Sequence, residues 1–240
     1  MKNAPIPEHV VFAHLEEPPF CFVNPDGSSS GCDVELASTI LSAIGVKGVT
    51  FTVVNFDDLI PGLESRRFAM TTGFFITGER KKRVAFSSPI WTLEDGLLVR
   101  DETASTMRSF ADFAAQPHAR LAVVAGQVQK PAAIRNGVHE NRIAEFPSQA
   151  DATRAVVNGQ VDAYLTVAVA HRDYIARNGL AGLKVFDVPG GGVDGPPSGG
   201  FGFNKSDMNL LGAVNGALER YLGSPPHREL LKRYGLAGSS

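Results

Sequence analysis

The chain has 240 residues, 43% hydrophobic and 20% charged, with a formal net charge of −2. That length allows one or two folded domains with a sizeable core. Near-neutral charge of interspersed sign argues against nucleic acid or an anionic membrane surface as partner, and no stretch approaches the roughly 18 to 20 apolar residues of a membrane span.

The start, Met1-Lys2-Asn3-Ala4-Pro5, has no apolar stretch behind its lysine, so no signal peptide is expected. The chain is then either cytoplasmic or begins at the mature end of an exported protein. Residues 10–15, VVFAHL, read as a short strand that stops at Glu16-Glu17-Pro18-Pro19. The two cysteines, Cys21 and Cys32, flank a Pro25-Asp26-Gly27 turn that should bring their segments side by side. Either a disulfide or two buried thiols would satisfy this spacing, and no His or Cys pair has the spacing of a metal site. In DVELASTILSAIG, Asp33 can cap a helix whose apolar face is Val34, Leu36, Ile40, Leu41 and Ile44, ended by Gly45.

VTFTVV alternates like a strand, and FDDLIPGLESRR carries Leu59, Ile60 and Leu63 on one face of a short helix. FAMTTGFF is a strand, GERKKRV a short helix or turn, and DGLLVR another strand. Helices at SFADFAAQ, VQKPAAIRNG, QADATRAVVNG and AVAHRDYIARNG then alternate with strands at RLAVVA, RIAEF and VDAYLTV. This rhythm predicts parallel sheets with crossover helices. VPGGGVDGPPSGG, residues 188–200, reads as a linker too flexible for an element interior. FGFNK is a strand, while NLLGAVNGALERYLG and PPHRELLKRYGLAG are helices; together they are too little for a third domain, so they return to complete the first lobe.

Enzymatic motifs are missing. There is no Gly-x-Ser-x-Gly, no Walker loop and no Gly-x-Gly-x-x-Gly between strand and helix, and His118 and His171 stand in polar helical surroundings. Without a nucleophile–base pair or metal set, binding is favoured over catalysis.

EPPFCFVNPDGSSSGCDVELASTI resembles the opening of the polar amino-acid-binding family (family 3) of ABC-transporter solute receptors. LIPGLESRRFAMTTGFFITGERKKRVAFSSPIW resembles that family's Gly-Met-Thr-Ile-Thr-x-x-Arg stretch and its Phe-Ser-x-Pro-Tyr close. LAVVAGQVQ and VVNGQVDAYLT resemble its second-lobe motifs. The resemblance implies an α/β, type II periplasmic-binding-protein fold, with lobes at 1–98 plus 200–240 and at 99–199, joined by two hinge strands and closing on a small solute. It also implies a periplasmic monomer that works with a membrane permease and has no cofactor, metal or nucleic-acid partner.

By the same resemblance Arg80 grips a carboxylate, a task its guanidinium fork suits. Backbone N–H groups at Phe75 and around Val128 complete the anion site, and Gly73, Gln127 and Thr166 line it. Departures from the pattern refine the solute. Phe75 replaces a threonine, Glu17 replaces an aromatic, and no acid stands at Thr166-Val167, where the family places the partner of an α-ammonium. Phe56 matches a stacking aromatic. With Phe20, Phe56 and Phe75 as faces and Phe74 as core, the set resembles the ectoine and hydroxyectoine receptors, whose ligand is a cyclic amidinium carboxylate. Rival expectations are a receptor for a proline derivative, betaine or another amino acid, and a cyclohexadienyl-dehydratase-like enzyme, which would need an acid in the site.

Overall fold

A computed structural model describes residues 5–188 and 197–237. It divides into two compact units, residues 1–92 with 198–240, and residues 93–197.

In the first unit, β1 (His9–His14) buries Phe12 and Ala13 and is followed by a small hairpin, β2 (Phe22–Val23) with β3 (Ser29–Ser30), around the Pro-Asp-Gly turn. Helix α1 (Cys32–Ala43) then buries Val34, Leu36, Ile40 and Leu41. Its cap is Gly31 rather than Asp33. Gly31 holds φ 122°, and a Cβ there would lie 2.3 Å from the Phe20 carbonyl oxygen, so only glycine fits. Asp33, expected as the cap, points inward from the first turn and is fully buried.

β4 (Gly48–Val53) runs parallel to β1, and a 3₁₀ turn at Phe56–Asp58 leads into α2 (Leu59–Glu64). β5 (Met70–Phe75) pairs with β1 on its other edge, also parallel. After it come α3 (Gly78–Arg83), β6 (Ala85–Phe86) and β7 (Trp91–Thr92).

The second unit opens with β8 (Asp95–Arg100), followed by α4 (Phe110–Ala114), β9 (Leu121–Val124), α5 (Gln129–Arg135) and β10 (Ile143–Phe146). α6 (Gln149–Val157), β11 (Ala163–Val167), α7 (Ala168–Asn178) and β12 (Leu183–Asp187) complete it. The sheet order is β10-β9-β11-β8-β12. Leu97, Val99, Leu121, Ala163 and Leu165 pack with Phe110 and Phe113 on one face, while Leu98, Ala122, Tyr164 and Val156 pack on the other. Burial on both faces is why GLLV, LAVV and AYLTV are nearly continuous apolar runs. The sequence placed residues 95–98 in the first lobe, but they pair along β11 and β12.

The chain then returns to the first unit as β13 (Ser198–Phe203), followed by α8 (Met208–Tyr221) and α9 (Pro225–Arg233). The first sheet is ordered β4-β1-β5-β13-β6, with β7 also on β13.

Both sheets are mixed rather than purely parallel, because β13 runs against β5, β6 and β7, and β8 against β11 and β12. Residues 189–196 of the expected linker lie outside the described residues. Its last glycines do not form a linker but sit inside β13. A Cβ on Gly199 would lie 2.0 Å from the Trp91 ring, and one on Gly202 would lie 2.6 Å from Phe74. Close approach of aromatic rings, not freedom of the chain, explains these glycines. Cys21 and Cys32 are free, buried thiols.

Candidate functional site: an arginine among aromatic rings

The end of β5 turns through Ile76 and Thr77 into α3. Thr77 caps that helix, its hydroxyl accepting from the Arg80 backbone N–H at 3.2 Å. This places Arg80 one turn in, where its side chain folds back over the strand. Nη1 donates to the Phe75 carbonyl at 2.7 Å, and the guanidinium carbon stands 5.0 Å from the Phe56 ring centre and 5.2 Å from that of Phe74. Both rings are within cation–π range, an attraction of about 0.5 to 2 kcal/mol per face. Only 8% of Arg80 is exposed, and burial holds its guanidinium down to about 10. Its neighbours differ sharply. Lys81, Lys82 and Arg83 are exposed, with Lys82 on Glu79 at 2.6 Å and Arg83 on Glu64 at 2.5 Å.

The three aromatics expected as ligand faces fall into two groups. Phe75 meets Trp91 edge to face at 5.2 Å, and Phe20 meets the same indole at 5.7 Å. Phe56 instead packs on Phe74 at 6.3 Å, and Phe74 on Phe86 at 4.7 Å. Phe74, read from sequence as core alone, is buried and is also a face against Arg80. Trp91 went unnoticed in sequence; the available signal was a lone tryptophan closing the Ser-Ser-Pro-Ile-Trp stretch.

Beneath these rings lies a carboxylate that sequence reasoning also missed. Asp33 Oδ2 accepts from the Thr72 hydroxyl at 2.6 Å and from the Gly73 N–H at 2.7 Å. Burial pushes its carboxyl up to about 6, although the Thr72 hydroxyl and the Gly73 N–H favour the charged form; Asp33 Oδ1 and the nearby Trp91 Nε1 are buried without hydrogen-bond partners. Gly73 has no room for a side chain, since a Cβ would lie 2.8 Å from Ile90, 2.9 Å from Trp91 Nε1 and 3.0 Å from Asp33 Oδ2. Glu17 is half-buried in a tight turn, its backbone N–H donating to the Cys21 carbonyl at 2.8 Å while its own carbonyl accepts from Phe20 and Cys21. Burial, with the Asp33 and Glu17 charges, pushes the Cys21 thiol up.

In the second unit, Val128 is the residue before α5, next to half-buried Gln127. Its neighbour Gln129 donates to Asp95 at 2.8 Å, and burial pushes the Asp95 carboxyl up to about 6. Thr166 is fully buried in β11 opposite Gly96, and its hydroxyl has no hydrogen-bond partner. An acid does stand at this end of the strand, on the neighbouring segment. The Ala168 N–H donates to the Glu94 carbonyl at 3.0 Å, and Glu94 Oε2 is buried without a hydrogen-bond partner. His171, expected in polar surroundings, is buried instead. Its Nε2 meets the Gly96 carbonyl at 3.1 Å, and burial pushes the imidazole down to about 3. No cluster of metal-ligating side chains, and no helix long and apolar enough to cross a membrane, occurs among the described residues.

Across residues 10–237 the sequence matches the profile of the bacterial extracellular solute-binding proteins, family 3. It is 30% identical over 234 residues to the probable amino-acid ABC transporter periplasmic-binding protein y4tE of Sinorhizobium fredii (strain NBRC 101917 / NGR234), covering 95% of this chain and 77% of that one. The fold is similar to that of EhuB in complex with hydroxyectoine, with a TM-score of 0.84 and 25% identity over 95% of this chain and 88% of that one. It is also similar to the ancestral amino acid-binding protein AncCDT-1, a precursor of cyclohexadienyl dehydratase, with a TM-score of 0.82 and 29% identity over 95% of each chain.

Proposed function

The chain belongs to the bacterial extracellular solute-binding proteins, family 3, and from that premise we propose that it is the extracytoplasmic receptor of an ABC importer, its solute a small zwitterionic carboxylate of the ectoine or hydroxyectoine type. The observation that carries the reading is Arg80, buried against Phe56 and Phe74 and tied to the Phe75 carbonyl. A buried cation is costly, and an arriving carboxylate relieves that cost through paired, charge-assisted hydrogen bonds. Phe75, Trp91 and Phe20 supply flat apolar faces, which favour a ring with a delocalised positive charge over a compact ammonium. Glu17 is the acceptor for that ring's N–H groups, and Gly73, Gln127, Val128 and Thr166 complete the proposed ligand set. Solute is handed to a membrane permease, and no catalytic step is involved.

A thermal-shift and calorimetry series with ectoine, hydroxyectoine, betaine, proline, glutamine, arginine and histidine tests this. A solute at 100 times its dissociation constant adds about 2.7 kcal/mol of stability. Ectoine or hydroxyectoine is expected to bind at least about tenfold more tightly than the amino acids, a gap of roughly 1.4 kcal/mol. No response to ectoine at millimolar concentration, with a response to another solute, refutes the solute and leaves the receptor.

One observation favours a second reading, a receptor for an ordinary α-amino acid. Glu94 keeps a buried carboxylate oxygen without a hydrogen-bond partner at the end of β11, where an acid for an α-ammonium was expected and not found in sequence. Under that reading Glu94→Gln abolishes amino-acid binding; under the first it leaves ectoine affinity within about threefold, or 0.7 kcal/mol.

A further inference from the structure

Asp33 stands near Trp91 in one part of the aromatic arrangement and is linked to the other only through β5. Its carboxylate pins β5 at Gly73, two residues before the Phe75 carbonyl that holds Arg80; Trp91 Nε1 and Asp33 Oδ2 stand 2.9 and 3.0 Å from where a Gly73 Cβ would be, close but without a hydrogen bond between indole and carboxylate. No side chain fits at Gly73, where Ile90, Trp91 and Asp33 occupy the space a Cβ would need. Trp91 is in turn the ring on which Phe20 and Phe75 converge.

We propose that Asp33 is a positioning residue for solute recognition: its negative charge fixes the strand at Gly73 and the Trp91 indole, and so the aromatic faces and the carbonyl that orients Arg80. This rests on the site reading given above. An uncharged group of the same shape can accept the Gly73 and Thr72 hydrogen bonds with one oxygen, but it places an amide where the carboxylate's second oxygen stood. The attraction for the indole N–H is then lost while the strand contact is kept.

The titratable groups around Asp33 are few. Cys21 beside Thr72 and Cys32 on the same helix are buried thiols whose titration is pushed upward. Glu17 acts on Cys21, and Glu35 in the same helical turn is engaged by Arg233 at 2.6 Å and by the Tyr234 hydroxyl. His14, whose imidazole is pushed down by burial, bonds Leu15 and Ser29 rather than Asp33.

The sequence has a single tryptophan, so intrinsic fluorescence of the full chain reports on this contact directly. In the absence of solute, Trp91 emission is expected to change between about pH 5 and 7 with a midpoint near 6, the value to which burial raises Asp33. Asp33→Asn should abolish that transition. Thr72→Val removes a hydrogen bond that favours the charged form, so the midpoint should move to higher pH by roughly half a unit to one unit, and this variant serves also if Asp33→Asn does not fold. With ectoine and arginine as probes, Asp33→Asn should bind whichever the wild type binds at least about tenfold more weakly at pH 7.5, with its melting temperature there no lower than that of the wild type. A flat wild-type titration, a transition surviving in Asp33→Asn, an unmoved midpoint in Thr72→Val, or unchanged solute affinity overturns the proposal. If the wild type binds neither probe, the functional reading fails on its own, and the fluorescence titrations alone decide the role of Asp33.

Discussion

The two units differ in how far they satisfy buried polarity. In the first, Asp33 is held through one oxygen by Thr72 and Gly73, and Arg80 by the Phe75 carbonyl and two aromatic rings, while Asp33 Oδ1, Trp91 Nε1 and His227 Nε2 are buried without hydrogen-bond partners. In the second, such atoms are spread over Thr166 Oγ1, Thr153 Oγ1, Gln149 Oε1 and Glu94 Oε2. Buried polar groups are normally satisfied, and each exception costs about 1 to 3 kcal/mol. The contrast teaches that the first unit fixes its buried charges mainly through backbone and ring contacts, whereas the second leaves more hydroxyl, amide and carboxylate oxygens to be met by water or by the proposed solute.

The sharpest way to break this comparison is at Arg80. Arg80→Ala should weaken carboxylate binding by about 4 kcal/mol, near a thousandfold, with the fold retained. Arg80→Lys should also hurt, because it loses the fork. Arg83→Ala, which removes only an exposed pair with Glu64, should shift stability by less than about 1 kcal/mol. Calorimetry on the three variants would expose the opposite ranking if Arg80 were merely structural.

Gly199→Ala comes next. The new methyl would have to displace the Trp91 ring, so a loss of about 3 kcal/mol is expected in denaturant unfolding. A wild-type midpoint would mean that Trp91 has slack, and the ring contacts with it.

The pH dependence of stability is third. Asp33 has a folded-state carboxyl near 6 against an ordinary 3.8. A raised value means that the folded chain holds the proton more tightly than the unfolded chain. The corresponding stability is therefore fully present below about 3.8 and is lost as pH rises to about 6, an amount on the order of 2 to 3 kcal/mol. Asp33→Asn should remove that slope, so the variant gains on the wild type between pH 4 and 7. Parallel stability curves for the two proteins would contradict it.

The smallest effect is expected at Thr166→Val. Replacing a buried hydroxyl that has no hydrogen-bond partner should leave stability unchanged or raise it by about 1 kcal/mol, since the penalty of the unmet hydroxyl is removed. A clear drop in solute affinity at unchanged stability would place that hydroxyl on the solute; no drop would assign it to internal water.

Much of the architecture was legible because its signals are local. The period of α1, the Pro-Asp-Gly hairpin and the apolar runs of β8, β9 and β11 come from residues near each other in sequence. Strand direction was not legible, since a rhythm of strands and helices carries no information about which edge β13 joins. β12 escaped notice because it is half-exposed and lacks clean alternation. Gly199 was misread as linker because a flexible glycine and one crowded by a ring look alike until the ring is placed. At the site, Arg80 could be separated from Lys81, Lys82 and Arg83 only through a motif, yet burial now separates them physically. Trp91, Asp33 and Glu94 were hidden because their importance lies in partners distant along the chain.

The insertion of β13 between β5 and β6 has a consequence for biogenesis. A ribosome delivers residues 93–197 before it delivers Ser198–Phe203, so the second unit has its whole sheet while the first still lacks a central strand. Until β13 emerges, the Met70–Phe75 strand presents a bare, apolar edge of the kind that pairs with wrong partners. The first unit, though begun first, therefore matures last, and its arginine and aromatic rings take their final places only when nearly the entire chain has been made.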